Sequence, residues 1–468
     1  MLRRKIEKEL LYWKDKRKQA LLITGARQIG KTYSAKRFLE ENFENVIYLN
    51  FADNQSLVPS FAELKDYKEL ISRLSLFDGA KLVPGKTAVF FDEIQLLYVY
   101  RDALKKKKGL PLISLDLITA MKPLVNEGQY RFLISGSLLG IELNDILLYP
   151  VGYMDLIHMF PLDFEEFLWA KGVGELAINE LRDCFKRRSP VDPMVNETML
   201  ALFREYVLVG GMPEAVDVYI ESRNLYQVKK IHERIKDAYE IDMSRYVEDQ
   251  KKKKLKIREV YEAIPSELNS KNKRFMSSHV ASPSYLKRND LVDEFIWLTN
   301  AGTAIPVYNV TEPVSPLTLD SKRKTLKLFL SDVGLLGTAL FSTGLRQKLL
   351  DGEKEINFGA PYDNVVAQEL CAHGFANKLY YYNSKKHGEV DFLVEYEGEP
   401  CPIEIKSGKP NEMNCYNHAV LNNLLKLYDI KEAFVFGETN LKKESDKITQ
   451  LPLYMVSFLS GESLYGDD

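Results

Sequence analysis

A strand, a phosphate loop and a helix follow one another near the start of this chain, and few folds accommodate that order. Ala20 to Thr24 read Ala-Leu-Leu-Ile-Thr, a short apolar run suited to a buried parallel strand. Gly25-Ala26-Arg27-Gln28-Ile29-Gly30-Lys31-Thr32 then fits G-x-x-x-x-G-K-[ST], and a helical stretch continues through Phe38 and Leu39. The glycines let backbone N–H groups turn inward and cradle phosphate oxygens. Lys31 is placed to neutralise β- and γ-phosphates, Thr32 to hold Mg²⁺, and the helix N-terminus adds its positive dipole end. The plainer alternative, a chance glycine-rich turn, is disfavoured by the strand before it and the helix after it.

A second motif is spaced to serve the first. Thr87 to Phe91, Thr-Ala-Val-Phe-Phe, ends in Asp92-Glu93. An apolar strand ending in paired carboxylates delivers them to the carboxyl edge of a parallel sheet, where ligands bind in open α/β folds. Asp92 would hold Mg²⁺, and Glu93 would orient and polarise an attacking water. A third apolar strand, Arg131 to Ile134, ends in Ser135-Gly136-Ser137.

The 468 residues exceed what one small core organises, so about two to four domains are expected. Hydrophobic residues make up 45% and charged residues 28%, which places the chain among ordinary globular proteins. A formal net charge of −2 excludes a wholly polybasic nucleic-acid binder. Local basic runs at Lys105–Lys108 and Lys251–Lys254, the latter extending to Lys256 and Arg258, read as solvated faces or as phosphate-backbone contacts. No apolar stretch of about 18 residues suggests a membrane span, and the basic start leads into an amphipathic helix, not an apolar signal segment. Cys184, Cys371, Cys401 and Cys415 form no C-x-x-C pair, which suits free thiols in a reducing cytoplasm. The histidines form no H-E-x-x-H or similar ligand set, so no structural zinc is expected.

Four segments are expected. In residues 1–160, strands alternate with helices (Val46–Phe51 a strand, Phe61–Leu74 a helix), which predicts a doubly wound parallel sheet, an α/β fold. The lysine-rich stretch Leu96–Leu110 reads as a surface insertion. Residues 161–254 read as a helical lid. Asp163 is the N-cap of a helix carrying Phe164, Phe167 and Leu168, and helices near Asn196–Val209 and Val228–Tyr246 are separated at Gly210-Gly211-Met212-Pro213. Residues 255–340 read as a winged-helix-like module, with helices starting at Ile264-Pro265-Ser266 and spanning Ser282–Ala301, then strands over Ile305–Val310 and Leu326–Leu330 as a wing. Such modules bind DNA or serve as protein contacts. Residues 341–468 read as a separate α/β unit with a helix near Tyr362–Cys371.

In that last unit, Glu389-Val390-Asp391-Phe392-Leu393-Val394 and Pro402-Ile403-Glu404-Ile405-Lys406 flank Glu397-Gly398, a two-residue hairpin turn. A regular hairpin sets Asp391 opposite Glu404 and Glu389 opposite Lys406, all on one face; Phe392, Val394, Ile403 and Ile405 fall on the other. This is the geometry of a Mg²⁺-dependent nuclease of the PD-(D/E)XK type. Asp391 and Glu404 are the metal ligands, Lys406 steadies water or the scissile phosphate, and Asp363 on the preceding helix adds a carboxylate. The alternative is a solvated charged face with cross-strand ion pairs. Pro400 and Pro402 predict an edge or bulged strand.

Taken together, Gly25–Thr32, Phe91–Gln95, Ser135–Ser137, Pro161–Phe167, Gly210–Pro213, Asp332–Leu336, Glu389–Phe392 and Ile403–Gly408 resemble a family of bacterial and archaeal AAA-like ATPases carrying a C-terminal domain of unknown function. The resemblance implies ATP as the nucleotide, Ser135 as a γ-phosphate sensor, a winged-helix part and a nuclease-like C-terminal fold; a plain strand-end turn at Ser135 stays open. Tyr153 stands where the family often has a basic residue, which leaves Arg27 and Arg131 as arginine-finger candidates, and Asp363 stands where the family usually has Glu. The expectation is an Mg²⁺-dependent ATPase whose nucleotide state controls a nucleic-acid-associated C-terminal half. The alternatives are an ATP-regulated nuclease and a switch that docks a protein partner without cleaving DNA; oligomerisation is compatible with each.

Overall fold

Short strands that are apolar on both faces have to be covered on both sides, and in the first part of the chain they stack in parallel. β1 (Ala20–Thr24), β2 (Asn45–Asn50), β3 (Thr87–Asp92), β4 (Arg131–Ser135) and β5 (Met154–His158) form a five-stranded sheet in the order β2-β3-β4-β1-β5, with every neighbouring pair parallel. β1 and β3 are buried along their whole length. The computed structural model describes residues 2–108, 114–137, 152–245, 251–270, 292–319, 322–350, 359–407 and 419–461. The chain divides into two units, Arg4–Phe160 with Asn300–Gly302, and Pro161–Thr299 with Met1–Arg3 and Thr303–Asp468.

In the first unit the expected parallel α/β sheet is present, with three local differences. The lysine-rich stretch is not an insertion but the helix Gln95–Lys108, which buries Leu97 and Arg101 while Lys105 to Lys107 stay exposed. Two helices, Val58–Ala62 and Tyr67–Asp78, replace the expected one, because Asp66 breaks the run and caps the second by accepting from the Glu69 amide. β5 was not foreseen; only Met154 and Ile157 of its five residues are buried, as suits an edge strand. β4 lies between β1 and β3, so the carboxyl ends of all three strands emerge side by side.

The second unit begins with helices. Asp163 caps Phe164–Ala170 in a reciprocal capping box with Glu166, as expected. Pro193–Val209 starts on Asp192 and Pro193 and ends at Gly210, whose φ of +74° a side chain would strain. A helix not foreseen, Pro213–Ser222, separates it from Leu225–Arg245. Pro265 lies inside the helix Lys251–Leu268 and does not begin one. Of the helix expected over Ser282–Ala301, the part before residue 292 lies outside the described residues, and Val292–Asn300 is helical.

The strands expected as a wing belong elsewhere. β6 (Ala304–Val310), β7 (Lys322–Leu330), β8 (Tyr380–Ser384), β9 (Gly388–Tyr396), β10 (Glu399–Lys406), β11 (Ala433–Gly437), β12 (Lys442–Lys443) and β13 (Ile448–Pro452) make one eight-stranded sheet in the order β12-β13-β11-β10-β9-β8-β6-β7. β6 is buried at all but one position and needs a partner on each side; it finds β7 and β8. The expected boundary at residue 340 therefore cuts through a single sheet. β10 is likewise interior, not an edge. Glu399 pairs with Tyr396 across a turn in which Glu397 and Gly398 both have positive φ, so the amide positions of Pro400 and Pro402 point away from β9. Pairing with β11 starts only at Ile403, past both prolines. Among the described residues no helix is long and apolar enough to cross a membrane.

Helix Gly359–Leu370 ties this sheet to the helices through a buried polar edge. Asn364 accepts from the Leu330 amide at 2.9 Å and donates to its carbonyl at 3.0 Å. Gln368 accepts from the Val333 amide at 2.8 Å and donates to the Tyr206 hydroxyl at 2.8 Å. Glu369 accepts from the Phe164 amide at 2.9 Å, and its Oε1 lies 2.9 Å from the same hydroxyl. Replacing Asn364 with Leu would strand a buried amide and a buried carbonyl. Asn364→Leu is expected to destabilise the protein by about 2–5 kcal/mol, read as a lower urea midpoint by circular dichroism.

Candidate functional site

The loop after β1 has the backbone that phosphate binding requires. Gly25 and Gly30 have φ of +136° and +92°, and Gln28 also lies in the left-handed region at +64°. A Cβ on Gly25 would sit 2.2 Å from the Met159 carbonyl oxygen, so this position admits only glycine. Lys31 opens the helix Lys31–Asn42 and folds its ammonium back over the loop, donating to the carbonyls of Gly25 at 2.9 Å and Ala26 at 2.6 Å. Burial pushes the Lys31 ammonium down to about 8; Glu93 and Asp92 hold it up, and Arg27 pushes it further down. A cation that is buried yet accompanied by acidic groups is well placed to receive an anion. From the other side, Arg4 clamps the loop by donating to the carbonyls of Ile29 at 2.8 Å and Phe160 at 2.7 Å.

Asp92 closes β3 with no exposed surface. Its Oδ2 accepts from Thr32 Oγ1 at 2.8 Å, Tyr48 Oη at 3.1 Å and Asn50 Nδ2 at 3.3 Å, and its Oδ1 accepts from Ser135 Oγ. Lys31, Thr32, Asp92 and Ser135, selected from three separate motifs, thus converge at one edge of the sheet. This donor set suits a divalent cation: a carboxylate and a hydroxyl already share a hydrogen bond that metal coordination would replace. Beside them, Thr24 Oγ1 lies 3.1 Å from His158 Nδ1. Burial, with the Lys31 charge second, pushes His158 down to about 4, which keeps the imidazole neutral.

Glu93 follows with φ of +59°, its carboxylate held by the Gln95 amide and 3.9 Å from the Arg27 guanidinium. The two arginine-finger candidates part here. Arg27 lies in the loop, whereas Arg131 begins β4 at the opposite edge, donates to the Trp13 carbonyl at 2.7 Å and stacks on the Trp13 ring. Tyr153 precedes β5 at that same far edge, its carbonyl taken by the Ala20 amide at 2.9 Å. Tyr48, Asn50, Gln95, His158 and Arg4 were not foreseen. Polar residues at the carboxyl ends of β2 and β5 were the available signal for three of them.

In the second unit the hairpin register is the expected one. Cys401 pairs with Val394 and Ile403 with Phe392, which sets Glu404 across from Asp391. Phe392, Val394, Ile403 and Ile405 are buried, while Glu389, Asp391, Glu404 and Lys406 are part-exposed on the other face. Lys406 Nζ lies 2.6 Å from Glu404 Oε1, not on Glu389, and Asp391 Oδ2 accepts from the Ile405 amide at 2.9 Å. Glu389 instead pairs with Lys327 at 2.8 Å and accepts from Asn383 at 2.6 Å. Asp363 is buried in its helix. Among the described residues no group of three or more His, Cys, Asp or Glu is placed to hold a metal, so a site with Asp391 and Glu404 rests on those two carboxylates.

Residues 17–168 match the family model AAA_14, described as an AAA domain, which supports an AAA-like P-loop fold for this part of the chain. Residues 200–348 and 358–456 match two families described as domains of unknown function, DUF8612 and DUF4143. The first of these models takes in β6 and β7, and the second takes in the helix Gly359–Leu370 and β8 to β13. Uncharacterized protein Rv2008c of Mycobacterium tuberculosis and Uncharacterized protein Mb2031c of Mycobacterium bovis are each 27% identical over 132 residues. That stretch covers 27% of this chain and 29% of each relative. Among solved structures, the Walker-type ATPase paby2304 of Pyrococcus abyssi aligns over 73% of this chain and 96% of its own at 13% identity, with a TM-score of 0.41. The Aeropyrum pernix ORC1 protein in complex with DNA aligns over 75% and 93% at 14% identity, with a TM-score of 0.27.

Glu404 offers a test of the acidic face that needs no ligand. Burial first, and the Asp391 charge second, raise its carboxyl from 4.5 to about 7 against the pull of Lys406. The folded state therefore binds more protons than the unfolded state between those values, and stability falls as pH rises through that window. Glu404→Gln is expected to match wild type near pH 4.5 and to be more stable at pH 8, by on the order of 1–3 kcal/mol, in urea unfolding at both pH values.

Proposed function

We propose that this protein binds ATP with Mg²⁺ at the loop Gly25–Thr32 and hydrolyses it. The observation that carries the reading is the meeting of Thr32 and Asp92 at 2.8 Å, with Lys31 folded over the same loop and Ser135 on the other Asp92 oxygen. The amides of Gly25 to Thr32 and the Lys31 ammonium hold phosphate oxygens. Thr32 and Asp92 hold the ion, whose charge offsets that developing on the phosphates. Glu93 orients the water and draws its proton as the water oxygen bonds to the γ-phosphorus and the bond to the ADP oxygen breaks. Ser135 reports the γ-phosphate to β4. Of the two arginine-finger candidates, Arg27 is the one beside that chemistry, 3.9 Å from Glu93.

In a phosphate-release assay with ATP and Mg²⁺, Lys31→Ala is expected to lose nucleotide binding and turnover. Glu93→Gln should retain ATP affinity and lose turnover by on the order of a hundredfold or more. Unchanged turnover in Glu93→Gln removes Glu93 from the mechanism.

A second reading concerns the C-terminal half: a PD-(D/E)XK-like domain, associated with nucleic acid, whose state the nucleotide controls. Its support is the cross-strand placement of Asp391 and Glu404 beside Lys406, with Glu404 raised to about 7 by burial and by Asp391, the electrostatics of two carboxylates ready to share a cation. Asp391 and Glu404 are the ligands in this reading, Lys406 is the activating cation, and Asp363 is the outlying carboxylate. Purified protein with plasmid DNA, ATP and Mg²⁺ or Mn²⁺ is expected to nick the plasmid, and Asp391→Ala or Lys406→Ala to abolish nicking. Nicking that survives both substitutions, or none with either metal, refutes cleavage; a salt-dependent gel shift without nicking would leave a DNA-docking domain.

A further inference from the structure

The ATPase reading assigns Lys31, Thr32, Asp92 and Glu93 but leaves one buried polar side chain among them without a role. Gln95 opens the helix Gln95–Lys108 and has no exposed surface. Its Nε2 donates to Glu93 Oε2 and lies 3.3 Å from Ser137 Oγ, beyond the end of β4. Both neighbours are oxygens, which fixes the amide with its nitrogen toward them. Its Oε1 is buried and has no hydrogen-bond partner. That oxygen faces Gly136, where a Cβ would lie 2.9 Å away, and the Gly136 amide donates to the Ile23 carbonyl of β1 at 3.3 Å. A single carboxamide therefore touches the end of β3 through Glu93 and the exit of β4 through Ser137 and Gly136. Glu93 itself stands in the left-handed backbone region at φ of +59°, where a non-glycine residue is held only by its surroundings.

We propose that Gln95 is a positioning residue for ATP hydrolysis: its carboxamide holds the Glu93 carboxylate in place and ties it to the exit of β4. Several features of the side chain fit this role. An amide at this position donates to Glu93 without adding charge beside it, whereas a carboxylate would repel it and an alkyl group would release it. Water does not reach Gln95 to compete for the bond, so the contact is worth more than an exposed one. Ser135 binds Asp92 and Ser137 lies against Gln95, so the same strand end reaches Asp92 directly and Glu93 through Gln95. A shift of β4 on engaging a γ-phosphate would reach Glu93 through Gln95. Arg27, 3.9 Å from Glu93, supplies charge but not this link to the sheet.

The inference rests on the ATPase reading, and a double-mutant cycle separates the two. Steady-state phosphate release gives kcat and KM, and a fluorescent ATP analogue gives affinity, for wild type, Gln95→Leu, Glu93→Gln and the double variant. Gln95→Leu is expected to lower kcat by on the order of a hundredfold, with nucleotide affinity and melting temperature near wild type. In the Glu93→Gln background it should cost nothing further, because the group that it positions is already gone. Gln95→Asn, which keeps the amide but shortens its reach, is expected to show the same kcat-specific loss and stands in if the leucine variant does not fold. Unchanged kcat, an equal loss in the Glu93→Gln background, or a parallel loss of affinity and melting temperature overturns the role of Gln95 and leaves the ATPase reading intact. Absence of turnover in the wild type sinks both.

Discussion

A carboxylate with no exposed surface has to be surrounded by donors, and Asp92 sets that demand for the whole nucleotide unit. Its donors come from separate places in the chain: Thr32 from the first turn after the loop, Tyr48 and Asn50 from β2, and Ser135 from β4. None can be moved without stranding a buried charge, so the carboxyl ends of β2, β3 and β4 are fixed relative to the loop. The strand order follows the same logic, because β4 between β1 and β3 is what lets Ser135 reach Asp92 from one side while Thr32 reaches it from another. Lys31 balances the charge, and its burial lowers its affinity for its proton.

The second unit solves a similar problem with neutral groups and one carboxylate. Where the helix Gly359–Leu370 meets the ends of other elements, it spends Asn364, Gln368 and Glu369 on their open backbone groups. Three of the motifs that marked the family resemblance, Pro161–Phe167, Gly210–Pro213 and Asp332–Leu336, gather here. The Leu162 amide donates to the Gly211 carbonyl at 2.7 Å, and the approach is so close that a Cβ on Gly211 would lie 2.0 Å from the Leu162 carbonyl oxygen. Asp332 accepts from the Gly211 amide at 2.6 Å and caps the helix Val333–Leu340. Burial raises its carboxyl to about 6 despite three backbone donors and the Arg346 charge. These motifs are therefore architectural. They read as function in a sequence only because unusual residues at fixed spacing are what tight backbone packing and catalysis both require.

Local chemistry was legible in the sequence, and long-range pairing was not. The loop, the Asp92-Glu93 strand end, the Asp163 cap and the Glu397-Gly398 turn each depend on a few adjacent residues, and each is found where the residues placed it. The hairpin register also held, because a two-residue turn leaves no freedom to slip. What failed was partner choice. Two apolar strands followed by a gap, β6 and β7, look alike whether they form a wing or the rim of a larger sheet; the difference lies in β8, some 70 residues further on. Pro400 and Pro402 misled for a related reason, since proline forbids pairing only on the side its nitrogen faces, and that side becomes occupied only from Ile403. Arg4 was invisible because a single polar residue carries no spacing, and Gln95 stood in a motif that gave it no role of its own.

The charged face of β9 and β10 shows what register alone leaves undecided. Parity sets Glu389 opposite Lys406 and Asp391 opposite Glu404. Lys327 changes the balance. It comes from β7, in the stretch first read as another module, has almost no exposed surface, and lies with its Nζ 4.7 Å from the centre of the Tyr381 ring. Its 2.8 Å pair with Glu389, together with the Asn383 amide, satisfies that carboxylate within the sheet. Lys406 is then left to Glu404, on its own strand, and the two carboxylates that still oppose each other are Asp391 and Glu404. One lysine cannot fully offset two carboxylates held at this burial, which is why Glu404 retains its proton to higher pH. The edge strand of the sheet, through a single buried ammonium, thus satisfies Glu389 and leaves Asp391 and Glu404 as the acids that face each other on the hairpin.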